Sequence, residues 1–116
     1  MTRFNHIDLV EFPAESTEQL QAAKEFFGQI FGWKFQDWSD HYADTADSGV
    51  SSGLIADAGE RARMPLAVVH VDDLEAAYEK VTGAGGTIVK EIFSFPGGRR
   101  FHFRDPAGNE LAAWSE

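Results

Sequence analysis

The sequence predicts an α+β fold of two βαβββ modules, each curling its strands into an incomplete-barrel sheet with one helix on the convex side. Two capped helical stripes, near 17–31 and 73–83, lie among segments in which polar and apolar residues alternate. The order of these elements repeats with an offset of about 60 residues, as in an internal duplication. A lone module would expose its concave face, so two modules are needed to enclose a pocket.

Length and composition limit the class of protein. The 116 residues predict a single domain, 1–116, made of modules 1–57 and 65–116 joined by a short polar linker. A hydrophobic content of 43% supports a packed core, and a net charge of −9 argues against nucleic acid as a partner. An apolar run of about 18 residues, which a membrane span requires, does not occur. We expect a cytoplasmic location because the N-terminal residues do not resemble a signal peptide, and the absence of cysteine excludes a disulfide framework.

The first module begins with an alternating strand over 3–12. We expect Ile7 and Leu9 to pack under a helix, which leaves His6 and Asp8 on the other face. A capping box at 16–19 starts the first helix, and Gly32 can end it in a left-handed conformation. The predicted strands that follow are 33–38, 41–46 and 49–56.

The second module repeats this order. A strand at 66–71 leads to Asp72, which we expect to cap the second helix with Glu75 three residues later. Strands follow at 87–93, 99–104 and 109–115. Pro106 and Gly108 predict a tight turn between the last two strands, which therefore form an antiparallel hairpin.

Strand alternation selects the candidate pocket residues. If Phe101 and Phe103 pack under the second helix, then Arg100 and His102 point to the concave side. A β-bulge near 97–98 would reverse that orientation. The same alternation places His6, Asp8, His70, Glu110 and Trp114 on the concave side.

Several segments of the sequence resemble the glyoxalase/bleomycin-resistance/extradiol-dioxygenase superfamily, which has the vicinal oxygen chelate fold. The Phe-x-Asp-Pro-x-Gly-Asn turn at 103–109, followed by a strand ending in Trp114, is similar to the C-terminal end of that family. RFNHIDL at 3–9, FFGQIFGWKF at 26–35 and VDDLEAAYEKVTGAGG at 71–86 also resemble it. The chain looks most like the small single-chain branch described as predicted relatives of lactoylglutathione lyase.

The resemblance implies a divalent metal held by two His and two Glu on the concave face. Of the four corresponding positions, His6 keeps a ligand, whereas Ser52, Leu66 and Ala112 do not. Glu110 shares the strand face of Ala112 but lies two residues away, a displacement of ~6–7 Å. We therefore expect the family metal site to be lost and predict no cofactor, with a divalent metal as the alternative.

A purely structural role is the alternative interpretation for each candidate residue. His6 and Asp8 form either a structural pair or a ligand contact, and His70 either ends its strand at the surface or lines the pocket. Arg100 either anchors an anionic ligand or offsets the acidic surplus. His102 with His6 and Asp8 is a candidate for a new three-ligand metal site. The tryptophans fit a core or a dimer interface better than a stacking platform.

The sequence thus predicts metal-independent binding of a small molecule in the concave pocket. The candidate catalytic residues are His6, Asp8 and His102, and the candidate ligand-binding residues are Arg100, His70, Trp114, Ser52 and Glu110. The alternative is a lyase or isomerase of the glyoxalase type that uses His6, Asp8 and His102 in acid–base catalysis or as a rebuilt metal site. A third interpretation is a module that binds a protein partner. The resemblance also implies a homodimer, and we expect no nucleic acid and no membrane partner.

Overall fold

The computed structural model describes residues 3–116. It contains two helices, α1 (Thr17–Phe31) and α2 (Leu74–Gly83), and eight strands in the predicted βαβββ–βαβββ order. The strands are β1 (His6–Pro13), β2 (Gln36–Ser39), β3 (Tyr42–Thr45), β4 (Ser51–Ile55), β5 (Leu66–His70), β6 (Thr87–Phe95), β7 (Gly98–Arg104) and β8 (Glu110–Ser115). The predicted α+β class and module order are confirmed. The chain divides into two compact units, Leu9–Leu66 and a unit that joins residues up to Asp8 to Ala67–Glu116.

The unit Leu9–Leu66 is a sheet in the order β2-β3-β4-β1 covered by α1. β1 pairs in parallel with β4, so that Phe12 lies beside Leu54, and both belong to the core under α1 around the fully buried Leu20. Ser16 caps α1 by accepting a hydrogen bond from the Gln19 N–H at 3.1 Å. The Gln19 side chain accepts from the backbone of residue 15 and so does not complete the predicted capping box.

The alternation of β1 differs from the prediction. Phe12 packs against Phe27 of α1, with ring centres 6.1 Å apart, whereas Ile7 is 47% exposed. Because side chains alternate along a strand, the face of β1 that carries Phe12 does not carry Leu9. The prediction that Ile7 and Leu9 pack under a helix was wrong, because the residue that packs under α1 is Phe12, which lies three positions after Leu9 and so on the opposite face of the strand.

The second unit is a sheet in the order β5-β8-β7-β6 with α2 on one face. Its core under α2 contains Val71, Leu74, Phe101 and Ala113. The helix is capped by Asp73, whose carboxylate accepts from the Ala76 N–H at 3.0 Å, and not by Asp72 as the sequence suggested. Either residue can cap a helix by its chemistry, so the sequence alone left the first residue of α2 uncertain by one position.

The β7–β8 hairpin has a defined register. The carboxylate of Asp105 accepts from the backbone N–H groups of Ala107 and Asn109, both at 2.9 Å, and Gly108 has a positive φ of 90°. Phe101 then pairs with Ala113, and the neighbouring residues follow without irregularity. Register shifts occur instead on β6, on either side of Lys90, and not near 97–98.

Within the described part of the chain, neither helix is long and apolar enough to cross a membrane.

Candidate functional site

The candidate site lies on the face of the β5-β8-β7-β6 sheet that points away from α2, called here the distal face. Phe101 contacts Tyr78 of α2 with ring centres 5.2 Å apart, so its neighbours on β7, Arg100 and His102, point to the distal face. This is the orientation that alternation predicts. One row of paired residues crosses the four strands on this face: His70, Trp114, Arg100 and Phe93.

His102 and Glu110 form a hydrogen-bonded pair on the distal face. Nδ1 of His102 lies 3.1 Å from Oε2 of Glu110, and the side chain of His102 is only 3% exposed. A carboxylate can only accept, so the proton of a neutral imidazole lies on Nδ1 and Nε2 keeps its lone pair. Nε2 is itself buried and has no hydrogen-bond partner among residues 3–116.

The surroundings favour the neutral form of His102. Burial, the largest effect, holds the pKa of His102 below its ordinary value, and the charges of Arg100 and Lys90 lower it further. The hydrogen bond that His102 donates to Glu110 raises the pKa but does not cancel the effect of burial. The site therefore presents a neutral, oriented imidazole with an unused acceptor atom.

Cations and aromatic rings surround this imidazole. The ring centre of Phe93 lies 5.8 Å from that of His102. The ammonium of Lys90 lies 4.4 Å from the centre of the Phe93 ring, and the guanidinium of Arg100 lies 5.5 Å from the same centre. The guanidinium also lies 5.8 Å from the ring of Phe95. The buried guanidinium of Arg100 therefore lies against two aromatic faces, as in a cation–π contact.

A second cluster occupies the other end of the same row. The rings of His70 and Trp114 are stacked at 4.3 Å, and the Trp114 N–H donates to both carboxylate oxygens of Asp8 at 3.1 Å. Nε2 of His70 lies 2.8 Å from Oε1 of Glu116, and this hydrogen bond lowers the pKa of Glu116. The polar groups of this cluster are bonded to one another, as in a structural network.

The structure thus separates the predicted site residues into two clusters. His102, Glu110 and Arg100 belong to one, and Asp8, His70 and Trp114 belong to the other. His6 is exposed and takes part in neither. Ser52 lies in the unit Leu9–Leu66, where its hydroxyl is 2.6 Å from that of Ser48.

Sequence reasoning missed four residues of interest. Lys90, Phe93 and Phe95 reach the distal face because the register shifts of β6 change the alternation that the sequence would suggest. Glu11 is a carboxylate buried to 4% exposure in β1. The signal that could have identified Glu11 is an acidic residue between apolar neighbours in a strand.

The four positions that correspond to the family metal site do not fit a metal. Leu66 and Ala112 carry no donor atom, the hydroxyl of Ser52 is engaged with Ser48, and Ala112 is fully buried. Within the described range 3–116, no group of three or more His, Cys, Asp or Glu is arranged to hold a metal ion. His6, Asp8 and His102 therefore do not form the three-ligand site that the sequence suggested. The absence of a cofactor nevertheless stays a prediction.

Comparisons with known proteins agree with this fold. The sequence model of the Glyoxalase/Bleomycin resistance protein/Dioxygenase superfamily matches residues 3–113. A protein named "Putative glyoxylase CFP32", from Mycobacterium bovis and Mycobacterium tuberculosis, is 29% identical over 121 residues, which cover 95% of this chain. The matched region is 44% of that relative, so this chain spans less than half of the relative's length.

Solved structures show the same architecture at low identity. A glyoxalase/bleomycin resistance protein/dioxygenase superfamily member from Vibrio splendidus has a TM-score of 0.68 at 16% identity, covering 93% of this chain and 97% of its own. The Mn(II)-bound glyoxalase from Novosphingobium aromaticivorans has a TM-score of 0.67 at 21% identity, covering 99% of this chain and 40% of its own. The methylmalonyl-CoA epimerase from Mycobacterium tuberculosis has a TM-score of 0.65 at 16% identity, covering 99% and 91%.

Proposed function

Since the chain belongs to the glyoxalase/bleomycin resistance protein/dioxygenase superfamily, we propose that it binds a small organic molecule on the distal face without a metal ion. His102 is the polar anchor of this site. The observation that carries the proposal is the buried Nε2 of His102, which lacks a partner within residues 3–116 while Glu110 fixes Nδ1.

Energetics support a ligand at this atom. An unsatisfied buried polar group costs about 1–3 kcal/mol, and the same position filled by an apolar residue would avoid that cost. An imidazole held in one tautomer with one acceptor atom unused is instead the arrangement expected of a binding or catalytic group. An ordered water would satisfy the same atom, and the affinity measurements below separate the two cases.

Metal independence is supported by donor chemistry. Divalent metals need several oxygen, nitrogen or sulfur ligands. Of the four family ligand positions, one holds His6 and the other three hold Ser52, Leu66 and Ala112. Binding on the distal face therefore depends on the organic side chains. The metal-bound state of a structural relative is a property of that relative.

A binding screen tests the proposal. Small carboxylic acids, phenols and heteroaromatic compounds are screened by ligand-observed NMR in the presence of a chelator. We expect compounds that bind the wild-type chain and bind His102→Gln about ten- to hundred-fold more weakly, the loss expected for one strong hydrogen bond. The matched control is His41→Gln, because His41 is exposed and lies in the other unit. Compounds whose binding requires added metal, or ignores His102, would overturn the proposal.

The second candidate function is proton transfer in a lyase or isomerase. It is favoured by the His102–Glu110 pair, in which a carboxylate orients a neutral imidazole that can accept a proton. His6 and Asp8 contribute less to this alternative, because His6 is exposed and the carboxylate of Asp8 is bonded to Trp114. Exchange of an acidic C–H of a bound compound for deuterium, lost in His102→Gln, is the expected result.

We also propose a homodimer. Large apolar side chains are exposed on and after α1: Phe26, Ile30 and Phe31 are more than half exposed, and Trp38 is 64% exposed. Exposed aromatic groups of this size are typical of interaction surfaces. Light scattering over a range of concentrations is the test, and a mass of one chain at every concentration would contradict the dimer.

A further inference from the structure

The distal face requires a particular chemistry of its ligand at Nε2 of His102. With its proton on Nδ1 and that proton directed at Glu110, the neutral imidazole offers only a lone pair at Nε2. A group that meets this atom has to donate a hydrogen. A ketone, or an acid that arrives already ionised as its carboxylate or phosphate, would meet it lone pair to lone pair.

The charges beside His102 favour the anion that remains when such a donor loses its proton. Lys90 is the cross-strand partner of His102, and Arg100 lies two residues away on the same face of β7. Both cations lie against the ring of Phe93, which is also the neighbour of the imidazole. Glu110, the carboxylate bonded to His102, acts on the opposite nitrogen, where it stabilises an imidazolium against burial and the two cations, all of which lower the pKa of His102.

We propose that the ligand is a weakly acidic hydroxyl compound, above all an aromatic one such as a phenol, and that it binds as the oxyanion after giving its proton to Nε2 of His102. This inference rests on the proposed function of the distal face. The O–H bond of the ligand breaks, the Nε2–H bond forms, and the electron pair stays on oxygen, so that no co-reactant is needed. The product is an imidazolium between Glu110 and the oxyanion.

The aromatic lining accounts for the preference for a phenol. Phe93 and Phe95 lie on β6, and Trp114 is the cross-strand neighbour of Arg100, so rings stand on both sides of the guanidinium. Aromatic faces of this kind favour contact with a planar ring, whose hydroxyl then meets Nε2 of His102. A flexible aliphatic alcohol is too weak an acid to transfer its proton to an imidazole.

Entry of the ligand requires a neighbouring side chain to move, because Nε2 is buried. β6 is the terminal strand of this sheet, with register shifts on both sides of Lys90. Register shifts leave part of the strand outside the regular ladder, and the long side chain of Lys90 has several rotamers available. Lys90 and Phe93 are therefore the groups that we expect to shift on binding.

The test uses two probes that differ only at the acidic group, para-nitrophenol and its methyl ether, para-nitroanisole. At a pH where free para-nitrophenol is largely protonated, we expect its bound form to show the visible absorption band of the phenolate. We expect para-nitroanisole to bind about ten- to hundred-fold more weakly, since it neither donates a hydrogen bond nor ionises.

Variants assign the proton. His102→Gln keeps a polar side chain that cannot take up a proton, so the phenolate band should disappear, whereas His41→Gln should retain it. Lys90→Met should weaken the band by removing one of the two cations. A phenolate band that persists in His102→Gln would show that the cations alone ionise the ligand and would overturn the inference.

The remaining outcomes separate this inference from the proposed function. If para-nitrophenol binds in its neutral form, or if both probes bind equally well, the distal face is a binding site but the acidic-ligand inference is wrong. If neither probe binds, the inference is wrong as well, and the broader NMR screen decides the proposed function independently.

Discussion

Removal of the Glu110 carboxylate is the sharpest perturbation of the candidate site. In Glu110→Ala the buried Nδ1–H of His102 loses its acceptor, while in Glu110→Gln the amide oxygen can still accept it. Both substitutions remove the same charge. The difference between the two variants therefore isolates the hydrogen bond from the electrostatic effect.

The magnitude follows from the burial of the two partners. The side chain of His102 is 3% exposed and that of Glu110 is 26% exposed, so water replaces the lost acceptor only in part. A buried donor left without a partner costs about 1–3 kcal/mol, and partial access of water favours the lower half of that range. At about 4 °C per kcal/mol for a domain of this size, we expect the Tm of Glu110→Ala to fall by about 4–8 °C, and that of Glu110→Gln to fall by about half as much.

The pKa of His102 supplies a second measurement on the same variants. The hydrogen bond and the charge of Glu110 both raise that pKa against the larger effect of burial. Glu110→Ala should therefore lower the pKa of His102 further, which an NMR titration of the imidazole protons would record. Differential scanning fluorimetry gives the Tm values, and Glu25→Ala, on the exposed side of α1, is the control. Equal Tm values for the two variants, or a pKa of His102 that rises, would refute the assigned pair and tautomer.

Three further predictions concern stability. Burial depresses the pKa of His102, so the unfolded chain binds this proton more tightly than the folded chain does. The free energy of unfolding should therefore fall as pH drops below the ordinary value of 6.5, by at most about 1.4 kcal/mol per pH unit. Urea unfolding at two pH values should show this component in the wild type and not in His102→Gln. Gly98→Ala should prevent or greatly weaken folding, because the added Cβ would lie 2.1 Å from the carbonyl oxygen of Ser115, and circular dichroism showing a native Tm would contradict the hairpin geometry. Trp114→Phe should lower stability by about 1 kcal/mol, since it loses the hydrogen bonds to Asp8 and keeps a ring to stack; an unchanged urea midpoint would show that these bonds contribute nothing.

Local rules predicted the β7–β8 hairpin well because its signals agree with one another. Phe101 and Phe103 identify the side of β7 that faces α2, and Arg100 and His102 follow on the other side by alternation. The turn that Asp105 closes then sets the register of the hairpin. These are properties of neighbouring residues, which a sequence displays directly.

The sequence could not predict the features that depend on where a strand changes phase. In β1, several apolar residues compete for the helix side, and the structure selects Phe12 and leaves Ile7 exposed. In β6, the register shifts beside Lys90 bring Phe93 to the distal face, and no glycine or proline within 88–93 marks them. Lys90, Phe93 and Phe95 were therefore missed, whereas Arg100 and Trp114, on β7 and β8, were predicted.

The position of one carboxylate relates the ligand pattern of the family to the site proposed here. In the family pattern the ligand on β8 falls at Ala112, which is the cross-strand partner of His102 and is fully buried. A carboxylate there would stand directly beside the imidazole without access to water, a costly arrangement unless a cation balanced its charge. At Glu110, two residues along the same face, the carboxylate lies diagonal to His102, retains partial contact with solvent and accepts the Nδ1–H. An acidic group on this strand face thus orients an imidazole in this chain. The positive charge that the family pattern draws from a metal is supplied, on our proposal, by Lys90 and Arg100.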